Sequence, residues 1–181
     1  MPFLGLLFLI LIVAFFPYIK RAYFRYRFLN RLKTECAKRR YRVENIGGIA
    51  SYFKNFSRGF DVLVDTGKTV HAIKFWNETY KNTNTIFMPN GVVYKRRKVV
   101  DVFGEGGKRT HAVLESSDGR LALKDPKIPA SRTLSKYFVL DSASSFYQFI
   151  GTSTEKVKAG DMLYGMRVSS AAYVLKTISK S

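Results

Sequence analysis

The stretch FDVLVDTGKTVHAIKFW, residues 60–76, decides the fold of this chain. Apolar and polar residues alternate over 60–66, which is typical of a half-buried β-strand. Gly67 and Lys68 then predict a tight turn, because a two-residue connection containing glycine is common in β-hairpins. Residues 69–76 predict the returning strand. The stretch therefore indicates an antiparallel hairpin that carries Asp61 at the start of one strand and Lys74 inside the next.

Outward from this hairpin, the chain continues as short β-type runs separated by turn residues. The predicted strands lie at residues 41–46, 136–142 and 146–152 and after Gly160, and the predicted turns lie at 89–91, 104–107 and 116–120. The tail at 171–180 predicts either a short helix or a last strand. Together these runs predict an α+β fold, with a mainly antiparallel, β-rich domain over residues 43–181.

The N-terminal segment is apolar along its whole length. Residues 2–19, PFLGLLFLILIVAFFPYI, contain no charged residue. Eighteen helical residues rise about 27 Å, against a hydrocarbon core of about 30 Å, and Lys20 can extend its amine to the interface. The sequence therefore predicts a transmembrane helix over residues 1–19. A cleaved signal peptide and a buried core helix are the alternatives, but the segment lacks the basic start and the small-residue cleavage site of a signal peptide.

The next segment, residues 20–42, is strongly basic and contains Glu35 as its one acidic residue. Its bases are Lys20, Arg21, Arg25, Arg27, Arg31, Lys33, Lys38, Arg39, Arg40 and Arg42. Phe24, Phe28, Leu32 and Cys36 recur every four residues, which predicts a basic amphipathic helix. In one interpretation, these apolar side chains pack on the sheet and the charged side chains stay in water. In the other, the basic side chains contact anionic lipid head groups. Both interpretations can apply, one at each end of the same helix.

The predicted lipid contacts are those nearest the span, namely Lys20, Arg21, Arg25 and Arg27. Contact of the same charges with nucleic acid is less favoured. Because basic segments stay on the cytoplasmic side, the sequence predicts a single-pass protein of the cell membrane, with its N-terminus outside and its C-terminal domain in the cytoplasm.

The composition limits which disulfide and metal sites the chain can form. The net charge is +18, and the chain has one cysteine and two histidines. Cys36 alone cannot form a disulfide within the chain, and this residue set speaks against a structural zinc site. We therefore predict no metal and no cofactor.

The order of elements from residue 20 to Trp76 resembles the start of the restriction-endonuclease-like core. In that family a helix precedes three strands, and the third strand carries a carboxylate two residues before a lysine. The resemblance implies that Asp61 binds a metal ion and that Lys74 orients the attacking water. Ala72, however, stands where the second carboxylate belongs, and Glu78 lies beyond the strand. An inactive relative is therefore favoured over an active nuclease.

The chain also resembles uncharacterised single-span membrane proteins of Gram-positive anaerobes. The similarity covers the N-terminal span, residues 60–76 and the run KVKAGDMLYGMRV at 156–168. It implies a bacterial membrane context and no particular activity. The leading hypothesis is a non-enzymatic, membrane-anchored cytoplasmic scaffold that binds an unknown protein partner at anionic lipid. The alternative is a membrane-anchored, nuclease-like enzyme, or an inactive relative, that acts on or binds nucleic acid.

Overall fold

The computed structural model describes residues 2–53, 55, 59–77, 83–101, 109–121, 123–140 and 145–181. Within these ranges the side chains of residues 2–4, 6–11, 14, 17, 50, 51, 97–101, 109–119 and 145 are not described. The predicted turn at 104–107 and the position of Glu78 lie outside the described residues.

The described residues form an α+β fold that is mostly β, as the sequence predicted. The helices are α1 (Pro2–Lys38), α2 (Ala50–Phe53) and α3 (Ala171–Ile178). The strands are β1 (Arg42–Asn45), β2 (Val62–Asp65), β3 (Thr69–Trp76), β4 (Thr83–Phe87), β5 (Val92–Asp101), β6 (Arg109–Arg120), β7 (Thr133–Leu140), β8 (Ser145–Ile150), β9 (Ser153–Lys156), β10 (Met162–Leu163) and β11 (Met166–Ser169). The decisive hairpin forms as expected, because β2 pairs antiparallel with β3 across the glycine turn.

The strands build two sheets. The six-stranded sheet has the order β1-β2-β3-β7-β11-β10, and the five-stranded sheet has the order β6-β5-β4-β8-β9. Antiparallel pairing dominates, but both sheets are mixed, since β7 runs parallel to β3 and β11, and β8 runs parallel to β4. These parallel pairs join distant parts of the sequence, and the local pattern did not predict them.

The core has two apolar clusters, one on each face of the six-stranded sheet. On one face, Val62, Ile73 and Val139 pack against α1 and α3. On the other face, Trp76 and Phe138 pack against Phe87 and Phe146 of the five-stranded sheet. The layers are therefore helix, sheet and sheet. Because the hydrophobic effect is proportional to the apolar area buried, the central sheet contributes on both faces.

The second half of α1 belongs to this core. Phe28, Leu29, Leu32 and Cys36 are all buried against the sheet, which confirms the packing interpretation of the amphipathic helix. The helix ends at Lys38 rather than at the predicted residue 42. Arg40 takes a left-handed conformation with φ of 58°, and the N–H of Tyr41 donates to the Cys36 carbonyl, so the chain turns here into β1.

The first half of α1 differs, because its described side chains are apolar and face outward. These exposed residues are Ile12, Val13, Phe15, Phe16, Tyr18 and Ile19. Over the described residues, the helices do not include one that is both long enough and apolar enough to cross a membrane. The transmembrane helix expected at residues 1–19 is therefore not supported here and stays a prediction.

Two further predictions concern chain ends and turns. The tail forms helix α3, capped by the Ser170 side chain, which accepts from the N–H of Tyr173. The hairpin turn expected at 116–120 is wrong, since β6 continues to Arg120. Arg120 pairs with Val92, whereas Ser116 pairs with Tyr94, so more residues of β6 than of β5 lie between these pairs. The turn-type residues therefore occupy a β-bulge.

Candidate functional site

The structure brings together the two residues that the sequence marked as candidate catalytic groups. Asp61 directly precedes β2, Lys74 lies in β3, and the Lys74 Nζ is 3.5 Å from the Asp61 Oδ1. The other carboxylate oxygen, Oδ2, accepts from the N–H of Phe75 at 2.8 Å. Both side chains are almost fully buried, with 0% and 1% exposure. The pair therefore ties two adjacent strands together inside the protein.

Arg25 extends from α1 toward the same place and is also buried, with 1% exposure. Its guanidinium donates to the Asn55 Oδ1 at 2.9 Å and to the Phe75 carbonyl at 3.4 Å, and it lies over the Phe75 ring. Asn55 in turn bonds the backbone of Asn77 in both directions, at 2.7 and 3.1 Å. We call Arg25, Asn55, Asp61, Lys74 and Asn77 the buried polar cluster. It fastens α1 to the end of β3.

Burial controls the electrostatics of this cluster. Desolvation lowers the pKa of Arg25 to about 10, against the opposing attraction of the Asp61 carboxylate, and Arg21 lowers it further. Desolvation also lowers the pKa of Lys74, again opposed by Asp61 and reinforced by Arg25. Removing a charge from water costs several kcal/mol unless a counter-charge and hydrogen bonds offset it. Asp61 is the carboxylate that provides this offset for both cations.

Asp61 and Lys74 are enclosed by the residues around them. By strand alternation Lys74 shares a face with Ala72 and Trp76, which line the core between the two sheets. Asp65 faces elsewhere, accepting from the N–H of Gly67 and pairing with Arg132 at 3.4 Å. Within the described part of the chain, no three His, Cys, Asp or Glu residues lie close enough together to hold a metal ion. The buried contact between Lys74 and Asp61 is typical of a structural ion pair.

The four predicted lipid contacts separate into two kinds. Lys20 and Arg27 are exposed, as lipid contact requires. Arg21 is half-buried and donates to the carbonyls of Phe53 at 2.6 Å and Asn77 at 3.3 Å. Arg25 is buried, with its guanidinium bonded to Asn55, so it does not face outward as the predicted lipid contact requires.

A signal for the burial of Arg25 was present in the sequence. Arg25 precedes Leu29 by four residues and Leu32 by seven, and residues at these spacings share one face of a helix. The predicted apolar stripe, which starts at Phe24 and recurs every four residues, therefore omitted Arg25 from the buried face of the helix. Asn55 and Asn77 carried no such signal, because they lie outside the regular elements.

The end of the domain nearest the first half of α1 carries exposed apolar side chains. Ile46, Ile49 and Phe53 are 46%, 80% and 41% exposed, and the Phe53 carbonyl accepts from Arg21. α2 contacts α1, and Arg21 bonds its last residue, Phe53, so this end of the connection from Ile46 to Phe53 lies beside the start of the packed half. We call Ile46, Ile49 and Phe53 the apolar rim.

No family model, no curated protein and no solved structure matches this chain. The two resemblances noted from the sequence stay predictions.

Proposed function

We propose that the protein is a single-pass, membrane-anchored scaffold whose β-rich domain binds a protein partner on the cytoplasmic surface. The observation that carries this proposal is the change of surroundings along one continuous helix. From Phe28 onward the apolar side chains of α1 are buried in the domain, whereas from Ile12 to Ile19 the described ones are exposed. An apolar surface of this extent on one helix is typical of a segment that has another environment to enter.

The exposed apolar side chains of the first half of α1 would gain free energy on leaving water. Transfer of a large apolar side chain out of water is worth about 1.5–3 kcal/mol. Val13, Phe15 and Phe16 are 67%, 55% and 59% exposed, so burying each of them would provide a large part of this free energy. The sequence of residues 2–19 supports a span along the whole segment, because it contains no charged residue. A bilayer would accommodate all of these residues together.

The geometry of the junction supports close apposition of the domain to the bilayer. Arg21 already contacts the domain, one residue after Lys20, so little chain separates the apolar half of α1 from the packed half. The apolar rim lies at this same end. Interfacial contact of Ile49 and Phe53 would reinforce the anchor, and the exposed Lys20 and Arg27 would lie near anionic head groups.

The burial of the polar cluster argues against catalysis by Asp61 and Lys74. A catalytic carboxylate and lysine must reach a substrate, whereas Asp61 and Lys74 are closed inside the protein. The second candidate, a nuclease-like protein acting on or binding nucleic acid, rests on one observation. That observation is the approach of Lys74, in the third strand after α1, to Asp61, directly before the second strand, although the short helix α2 separates the first two strands.

The experiment that tests the proposal measures topology and anchorage of the full chain in cells. Cysteine replaces Pro2 in one variant and the exposed Lys127 in another, while the native Cys36 is buried and serves as the internal background. We expect an impermeant thiol reagent to label the first variant on intact cells and the second only after lysis. We also expect the chain to stay in the membrane fraction at alkaline pH. Release by alkali would refute the anchor, and the opposite labelling pattern would refute the orientation.

A further inference from the structure

A groove runs between α1 and α3 on the side of the domain. It has a volume of about 330 Å³ and is lined by Phe24, Arg27, Phe28, Arg31, Ala171, Ala172 and Leu175. Its floor is apolar, since Phe28 is buried and Phe24 and Leu175 are half-buried against the same core. Its edge is cationic, because Arg27 and Arg31 lie one turn apart on α1 and are both exposed.

The two arginines are available for a ligand. Among the described residues neither Arg27 nor Arg31 has a hydrogen-bond or ion-pair partner. Glu35 lies one turn beyond Arg31, but its carboxylate is bonded to the Lys38 Nζ at 2.7 Å. An apolar floor beside two unneutralised guanidinium groups complements a molecule with an apolar part and an anionic head.

The groove also leads toward the exposed half of α1. Lys20, Phe24, Arg27 and Arg31 are spaced by four, three and four residues, so they share one face of the helix. Val13 and Phe16 continue this face toward the N-terminus and are both exposed. Arg27 lies about 10 Å along the helix from Lys20. A chain lying on Val13 and Phe16 could therefore place its head group at Lys20, Arg27 and Arg31.

We propose that this groove binds one anionic phospholipid. Its phosphate lies at Arg27 and Arg31, and the part of its acyl chains next to the head group lies on Phe24 and Phe28. The inference rests on the proposed membrane anchorage and makes it specific, because it replaces a diffuse attraction to the bilayer by a defined site. Basic pockets between helices on the cytoplasmic side of a membrane are suited to anionic head groups.

The test uses the full chain purified in a zwitterionic detergent and titrated with phosphatidylglycerol or phosphatidylcholine, with bound lipid counted by native mass spectrometry. We expect one phosphatidylglycerol to bind more tightly than phosphatidylcholine. The double variant R27Q/R31Q should bind it roughly 30-fold more weakly, because two phosphate contacts are lost. The matched control K33Q/R39Q removes the same charge from exposed positions away from the groove and should bind within about twofold of the wild type.

A second variant tests the groove without changing its charge. Ala172→Phe places a ring into the groove from an exposed position of α3 and should reduce lipid binding several-fold. Equal binding by R27Q/R31Q and K33Q/R39Q, or unchanged binding by A172F, would overturn the proposal. So would displacement of the lipid by millimolar inorganic phosphate, which would indicate a site for a free anion. A dimer that R27Q/R31Q dissociates, with no lipid bound, would assign the groove to a second copy of the chain.

Failure of this inference is distinguishable from failure of the anchor. Alkaline extraction of membranes reports on anchorage alone, and it does not depend on Arg27 or Arg31. A chain that resists extraction while R27Q/R31Q binds lipid normally would retain the anchor and lose the groove assignment. A chain that alkali releases would refute the proposed function directly.

Discussion

The two halves of α1 form one 37-residue helix, but apolar side chains are buried in one half and exposed in the other. The half that ends at Lys38 buries Phe28, Leu29, Leu32 and Cys36 on the sheet and carries Arg25 into the core with them. The half that precedes Lys20 presents its described apolar side chains outward. Apolar character alone therefore does not say where a helix packs. Arg25 distinguishes the packed half, because a buried arginine needs hydrogen-bond acceptors, and Asn55 and the Phe75 carbonyl provide them.

The largest expected effect breaks the attachment of the packed half at its counter-charge. Asp61→Asn removes the charge that offsets the burial of Lys74 and Arg25, and we expect a loss of about 3–5 kcal/mol in the free energy of unfolding. Denaturant unfolding of the full chain in mild detergent measures it through Trp76, the single tryptophan, which is buried. The matched control is Asp65→Asn, whose half-exposed ion pair with Arg132 should contribute at most about 1 kcal/mol.

The same protein tests the nuclease alternative. We expect the wild type to leave DNA and RNA intact with Mg²⁺ or Mn²⁺, because Asp61 and Lys74 are enclosed. Metal-dependent cleavage that disappears in a folded Asp61→Asn variant would contradict the non-enzymatic proposal.

The next effect compares one apolar residue from each half of the helix. Leu32 has 0% exposure, so Leu32→Ala should cost about 2–5 kcal/mol in unfolding free energy. Phe16 is 59% exposed, and Phe16→Ala should leave the unfolding of the domain within about 0.5 kcal/mol of the wild type. Both are read from Trp76 fluorescence during denaturant unfolding. A comparable loss in both variants would show that the first half also packs on the domain.

A smaller effect compares the buried and the exposed arginine. Arg25→Gln removes charged hydrogen bonds to Asn55 and Phe75 and should cost about 1.5–3 kcal/mol. Arg27→Gln should leave unfolding nearly unchanged while weakening binding of phosphatidylglycerol to the full chain in detergent, an effect that salt should also produce. Thermal unfolding and native mass spectrometry of bound lipid provide the two measurements. If Arg25→Gln instead reduced lipid binding more than Arg27→Gln, the assignment of Arg25 to the core would be wrong.

The smallest expected effect concerns the other end of the sheet face that α1 covers. His71 is buried against Tyr137 and near the Ser181 hydroxyl, and burial lowers its pKa. Below pH 6.5 the unfolded chain therefore binds a proton that the folded chain does not. Stability should fall as the pH falls, by at most about 1.4 kcal/mol per unit. His71→Gln should flatten the curve between pH 5 and 6.5. An unchanged slope in that variant would assign the effect to other groups.

Local patterns in the sequence were sufficient for much of the fold. β3 was predicted with its observed bounds, Thr69–Trp76, because the alternating run at 60–66 predicts the first strand of a hairpin and the turn at Gly67 and Lys68 fixes where the returning strand starts. The turn expected at 116–120 failed because the same residues that favour turns also fit a β-bulge, and only the partner strand β5 decides between the two. The end of α1 was missed because Arg40 takes the left-handed conformation that glycine usually marks.

The candidate site was predicted less completely. Asp61 and Lys74 were named because one hairpin carries both, and their contact follows from the pairing of Val62 with Ile73. Their burial could not be read locally, since it depends on the second sheet and on Arg25 from α1. The groove between α1 and α3 joins residues more than 140 positions apart, as from Arg27 to Ala171, and no pattern within either segment indicates it.

The parallel pairing of β3 with β7 has a consequence for synthesis of the chain. β3 ends at Trp76, and its neighbour begins at Thr133, with β4, β5 and β6 made in between. At about 5–20 residues per second, the hydrogen-bonding edge of β3 waits roughly 3–11 s for its partner to leave the ribosome. An unpaired edge is a template for association with other chains. If the proposed anchor at residues 2–19 holds, a nascent chain would spend that interval at the membrane, separated from other chains, and early tethering would protect its folding.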